Sequence, residues 1–215
     1  MICSKGGQRP LYRRYAAAMP PLYCLGPEPS VRRCSMPTAP VQDPVLGAAE
    51  LGALWRQLAE DPDSPDHFEL TEFGEIVVAP KPTNRHQLVV AQVAAELNLR
   101  LPSGLALYEV AIHTRIGVRV PDLAWLPHER ARELLTQTPL HAAPPLVAEV
   151  LSPGNRPAEV ARKVNAYLAA GSQEVIVVAL DGTVVHRADG PHAASGMGAV
   201  LTLSPELFRH GTRQK

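Results

Sequence analysis

The chain of 215 residues has no cysteine after residue 34; Cys3, Cys24 and Cys34 are its only three. For the remainder of the chain, this excludes a disulfide scaffold, a thiolate zinc site and a cysteine nucleophile. No window approaches the run of about 20 apolar residues that a bilayer-spanning helix needs. A membrane span is therefore not expected, and the cytoplasm is the default location. An excess of charge is missing too. Lysine and arginine together number 21, as do aspartate and glutamate, for a net charge of +0. That balance argues against both a strongly basic nucleic-acid binder and an acidic disordered tail. Lysine itself is scarce: Lys5, Lys81, Lys163 and Lys215 are all there are.

The neutral total hides a split. Residues 1–35 hold Lys5, Arg9, Arg13, Arg14, Arg32 and Arg33 against Glu28 alone, and they hold every cysteine. The rest of the chain is correspondingly acidic. Tyr15–Ala18 is too short for a signal-peptide core, and Pro20 and Pro21 break the stretch after it. Residues 1–42 read as a basic, proline-rich leader. It is either a disordered extension, a start assigned too early with Met36 as the true one, or a basic arm that touches nucleic acid. Residues 43–208 read as one domain and 209–215 as a tail. With 46% apolar and 20% charged residues, the chain is of ordinary globular composition.

Within the domain, Asp43–Pro44 resembles a helix N-cap, with Leu46, Leu51, Leu54, Trp55 and Leu58 after it at helical spacing. The stretch 60–66 is acidic but broken by Pro62 and Pro65, so it reads as a solvated loop rather than a metal site. His67–Leu70 and Glu75–Ala79 read as a hairpin around Glu72-Phe73-Gly74. A second helix spans about His86 to Arg100, with Val89, Val90, Val93, Ala94 and Leu97 as its apolar stripe. Two β-rich runs come next, Leu105–Thr114 and Val118–Leu126, joined near Arg115-Ile116-Gly117. A short helix is expected around Glu129–Leu135, then a buried strand at Leu146–Leu151. Asn155 is placed to cap a third helix, with Pro157 in its first turn and its end near Gly171. Glu174–Leu180 is a buried strand with Thr183–Arg187 as its hairpin partner across Asp181-Gly182. Gly190–Gly198 reads as loop, and Ala199–Leu203 as a last edge strand. From His86 the order is helix-strand-strand-strand-helix-strand, which indicates an α/β domain with a central mixed sheet flanked by helices.

Three residues stand out chemically. Glu149 lies inside the apolar run 146–151, where an ionised carboxylate is costly without a partner. Asp122 is flanked by apolar residues in Val120-Pro121-Asp122-Leu123-Ala124-Trp125. Lys163 is the only lysine between Lys81 and Lys215, and it borders the stripe Val160, Val164, Tyr167 and Leu168 that should face the sheet. Each has an ordinary structural explanation when taken singly: an arginine pair for Glu149, a turn for Asp122, an i, i+4 pair with Glu159 for Lys163. Together they make a metal-hydrolase set. Mg2+ (or Mn2+) takes hard oxygen ligands and usually one or two carboxylates. Asp122, Glu149 and the backbone carbonyl of Val150 could supply them. Lys163 could then position water and stabilise developing negative charge.

Pro121-Asp122, Glu149-Val150-Leu151 and Lys163 resemble the PD-(D/E)XK nuclease pattern with its lysine migrated to the next helix, since Leu151 stands where that lysine usually does. More closely, the chain resembles the Uma-two family of restriction-endonuclease-like proteins, many of them labelled a domain of unknown function. The resembling residues are Phe68-Glu69-Leu70, Gly74-Glu75-Ile76, His86 and Pro121-Asp122, then Glu149-Val150-Leu151-Ser152-Pro153, Lys163, Tyr167, Gly171 and Glu174–Val178. Glu159 departs from the aspartate common at that place, and Ala179-Leu180-Asp181 from the usual Val-Asp-Pro. The resemblance implies a restriction-endonuclease-like core. It also implies a catalytic set of Asp122, Glu149 and Lys163, with His86 as an accessory residue. The expected activity is metal-dependent hydrolysis of phosphodiester bonds in DNA, where double-strand cleavage would favour a homodimer. The alternatives are RNA as substrate, or an inactive binding or assembly module on the same fold.

Overall fold

A computed structural model describes residues 44–78, 81–179, 182–204 and 206. The leader, the tail, Asp43, Ala79, Leu180 and Asp181 lie outside the described residues. The first helix, α1 (Ala48–Glu60), is capped at Gly47, whose N–H donates to Glu50 Oε2 at 2.8 Å. Its buried face, Leu51 and Trp55, packs on β1 (Phe68–Leu70), with the Trp55 and Phe68 ring centroids 4.5 Å apart. β1 pairs in antiparallel register with β2 (Ile76–Val78), so the expected hairpin forms.

The second helix, α2 (Asn84–Arg100), begins two residues before His86 because Thr83 Oγ1 accepts the His86 N–H and serves as its N-cap. Each of the next two β-rich runs is divided. The first becomes β3 (Gly104–Tyr108) and β4 (Ile112–Thr114); the second becomes β5 (Gly117–Arg119) and β6 (Leu123–Pro127). The chain changes sheets at Glu109, which has a left-handed φ of 52°, and again at Pro121, which has no N–H for a ladder. At the start of β5, Gly117 has φ 107°, and a Cβ there would collide with the Leu70 carbonyl. Only glycine permits that turn against that strand.

Two sheets result. One has four strands in the order β2-β1-β5-β4, all antiparallel, and α1 packs on it. The other is completed by β7 (Leu146–Val150), β8 (Glu174–Ala179), β9 (Gly182–Arg187) and β10 (Gly190–His192), in the order β10-β9-β8-β7-β6-β3. Its β7 and β8 are parallel, and α3 (Pro157–Ala169) connects them; its other pairs are antiparallel. In the six-stranded sheet the elements from α2 onward run helix, β3, β6, β7, α3, β8, the order expected from the sequence.

This sheet is covered on both faces, which is why β7 and β8 read as nearly unbroken apolar runs. Leu146, Ala148 and Val150 of β7, with Ile176 and Val178 of β8, face Val89, Val93 and Leu97 of α2. Val147 of β7, with Val175 and Val177 of β8, faces Val164 and Tyr167 of α3. By strand alternation Glu149 shares the α3 face.

Three local expectations are corrected. Arg156, not Asn155, is the N-cap of α3; Asn155 Oδ1 instead accepts the Ser152 N–H at 2.6 Å and closes the preceding turn. Gly190–His192 is a strand rather than loop, because Asp189 makes the turn that returns the chain along β9. Ala199–Leu203 is not a strand. Ala199 is buried and Leu201 and Leu203 pack beside it on the α2 core, while Thr202 and Ser204 N–H groups donate to Glu96 and Gln92 of α2. The short helix expected near Glu129 is a 3-10 helix over His128–Leu135.

Candidate functional site

Asp122 sits where the chain passes from β5 to β6. β6 begins at Leu123, where its pairing with β7 reaches Ala148, and just beyond that pair Asp122 Oδ2 accepts the Val150 N–H at 2.7 Å. The aspartate therefore extends the β6–β7 pairing with its side chain. His86 reaches the same place from the first turn of α2. Its Nε2 lies 3.4 Å from Asp122 Oδ2 and 3.0 Å from the Val150 carbonyl. The Asp122 carboxylate, more than opposing burial, raises the His86 pKa above its ordinary value, aided by the Val150 carbonyl and the Glu149 charge.

Glu149 points to the other face of β7. Tyr167 of α3 donates its hydroxyl to Glu149 Oε1 at 2.8 Å, and the Lys163 ammonium stands 3.6 Å from the same oxygen. Burial raises the Glu149 pKa to about 7; the Lys163 charge opposes that rise and the nearby Asp122 carboxylate adds to it. Its side chain is 13% exposed. Tyr167 is fully buried, and burial together with the Glu149 charge keeps it a neutral donor.

Lys163 has a nearer partner than Glu149. Its ammonium donates to Glu69 Oε1 at 2.8 Å. Glu69, on β1, also accepts the Val120 N–H at 3.0 Å on Oε1 and the Arg119 guanidinium at 2.9 Å on Oε2. Burial pushes the Glu69 pKa up, but Lys163, Val120 and Arg119 together hold it below the ordinary value. Burial pulls the Lys163 pKa down, and Glu149 with Glu69 outweighs that, so the lysine is held as a cation. The i, i+4 pair with Glu159 is not what engages Lys163.

The four side chains singled out from sequence are thus gathered at one end of β7, with Asp122 and His86 at the β6 edge and Lys163 above Glu149. Glu69, Arg119 and Tyr167 complete the group. Glu69 carries the same signal as Glu149, a carboxylate between apolar residues, but in a strand of only three residues. Among the described residues, Asp122 Oδ1 and Glu149 Oε2 accept no hydrogen bond, so each carboxylate keeps a hard oxygen donor to offer. Burial also raises the Glu149 pKa by more than the Lys163 charge offsets, so a further cation beside that carboxylate would be favoured. On both counts the donor set suits a divalent cation. The Val150 carbonyl faces His86 Nε2, though an sp2 oxygen has a second lone pair. No group of three or more His, Cys, Asp or Glu is arranged for a metal among the described residues. A site of two carboxylates is what magnesium commonly uses. No helix among the described residues is long and apolar enough to cross a membrane.

Comparison with known proteins agrees with this architecture. No curated protein matches the chain. Among solved structures it is similar to a "putative nuclease belonging to DUF820" from Anabaena variabilis, with a TM-score of 0.57 and 18% identity. That match covers 72% of this chain and 96% of the other, and at such identity it speaks for the fold alone. The model of the Uma2 family, described as "Putative restriction endonuclease", matches residues 55–206. That span contains both sheets, α2, α3 and every residue of the candidate site, and the chain belongs to the Uma2 family.

Proposed function

We propose that this protein is a metal-dependent nuclease that hydrolyses phosphodiester bonds in DNA. The observation that carries the reading is the meeting of Lys163 and Tyr167 of α3 with Glu149 of β7, beside Asp122 and His86. Two carboxylates with open oxygens, a fixed cation and a histidine on one sheet end are a set suited to phosphoryl chemistry. Asp122, Glu149 and the Val150 carbonyl would hold Mg2+ or Mn2+. When bound, such an ion lowers the pKa of a coordinated water and offsets phosphate charge.

The chain's own residues divide the remaining work. Hydrolysis adds a water oxygen to phosphorus, breaks the bond to one sugar oxygen and delivers a proton to that leaving oxygen. Lys163 is held protonated, so its role is to stabilise the negative charge that builds on the phosphoryl oxygens, not to act as a base. Tyr167 fixes the Glu149 carboxylate in place. His86 orients Asp122, whose carboxylate in turn favours the protonated imidazole. The test is cleavage of plasmid DNA by the full chain with Mg2+ or Mn2+, and its loss in Glu149→Ala. A folded wild-type protein that binds the metal and cleaves neither DNA nor RNA would refute the reading; cleavage of RNA alone would correct the substrate. If cuts appear in both strands together, a homodimer is the expected active form.

One observation favours a second reading, a binding or assembly module without turnover. Lys163 lies closer to Glu69 than to Glu149, as it would if it mainly tied α3 to β1. Calorimetry separates the two. A module gives no heat with Mg2+, whereas the nuclease gives heat that Asp122→Ala removes.

A further inference from the structure

We propose that Glu69 is a positioning residue, and that it fixes where the Lys163 ammonium sits beside Glu149. The inference rests on the nuclease reading for its catalytic consequence, but not for its geometry.

A lysine on a four-carbon stem has many rotamers and no fixed direction of its own. Something rigid must hold its ammonium if it is to meet a reacting phosphate in one place. Glu69 meets that requirement. It lies on β1, the strand paired to β2 on one side and β5 on the other. Its side chain is 10% exposed and all its contacts are directional: Val120 N–H and Lys163 on Oε1, Arg119 on Oε2. Arg119 is itself buried and donates its other terminal nitrogen to the Ile116 carbonyl. The carboxylate is therefore set by two strands before the lysine arrives. Glu149 offers Lys163 a longer approach of 3.6 Å on an oxygen already taken by Tyr167. The lysine can thus be anchored by Glu69 while keeping donors that are not committed to Glu149.

A purely structural tie between α3 and the four-stranded sheet would have an equivalent next door. Arg162 pairs with Glu72 at 2.7 Å, one residue along α3 and on the exposed side. That pair is the internal control.

The experiment has two readouts on the full chain. The first is the acetylation rate of Lys163 at limiting acetic anhydride, followed by mass spectrometry, with Lys81 as the reference. Glu69→Gln should raise the Lys163 rate several-fold relative to Lys81, and Glu72→Gln should leave it unchanged. An unchanged rate in Glu69→Gln, or an equal rise in Glu72→Gln, overturns the proposal. Should Glu69→Gln fail to fold, Glu69→Gln with Arg119→Gln removes both buried charges and is read in the same way. The second readout is steady-state cleavage. A displaced lysine should lower kcat by about 100-fold with KM within about twofold, and Glu69→Asp, which keeps the charge but not the reach, should restore little of it. A loss confined to KM, or full rescue by Glu69→Asp, overturns positioning. If the wild type cleaves nothing, the nuclease reading fails, and the labelling still decides whether Glu69 places Lys163.

Discussion

The carboxylate of Glu149 is held at a cost to the fold, and that cost can be measured. In the metal-free protein its pKa rises from an ordinary 4.5 to about 7, chiefly through burial. Below the ordinary value Glu149 is neutral in folded and unfolded chains alike, and nothing is lost. As pH rises from there to about 7, the unfolded chain gives up its proton and the folded chain does not. The folded state then binds more protons, so stability falls with rising pH across that window. At about 1.4 kcal/mol per pKa unit, the full penalty above the folded pKa is about 3 kcal/mol. Glu149→Gln keeps the shape of the neutral acid and cannot ionise. In chelator, urea unfolding should show the variant no more stable than wild type at about pH 4.5 and more stable by about 3 kcal/mol at about pH 8. In thermal melts that is a gain of about 6–12 °C for a domain of this size. A stability difference that does not change with pH, or that favours wild type at the alkaline end, would refute the electrostatic account of this strand.

The same network sets further outcomes. Excess Mg2+ should raise the melting temperature of wild type, by about 2.7 kcal/mol of stability at 100 times Kd, and should do so far less for Asp122→Ala or Glu149→Gln. Tyr167→Phe removes one buried hydrogen bond and should cost about 1 kcal/mol in urea denaturation. Arg119→Met leaves Glu69 buried with one cation fewer and should cost about 3 kcal/mol or more, partly recovered when combined with Glu69→Gln. Glu174 is 2% exposed and holds Arg187, Ser195 and the Gly196 N–H. Glu174→Ala should cost about 3 kcal/mol and speed amide exchange at residues 195–199, measured by mass spectrometry.

Much of this site is legible in the amino-acid sequence because charge inside an apolar run is conspicuous. Glu149, Asp122 and Lys163 show themselves that way, and α2 and α3 by their apolar stripes. Glu69 has the same signature, but three residues are too few to declare a buried strand. The division of each long β run into two strands is also hidden. A run of apolar residues reports burial, not which sheet buries it, and only Pro121 hints at the break. Ala199–Leu203 misleads for a related reason. Alternating apolar residues suit an edge strand, but here they satisfy a helix surface, with backbone N–H groups answered by side chains of α2 instead of a neighbouring strand.

The two crossings at Glu109 and Pro121 have a consequence for anyone who would take the molecule apart. Because β3 and β6 belong to one sheet and β4 and β5 to the other, the chain is laced through both like a single thread through two cloths. No cut leaves one sheet whole without severing the other, so neither can be expressed, swapped or evolved as a separate module. Asp122 comes directly after the second stitch, so its carboxylate is placed by the same passage that joins the two sheets.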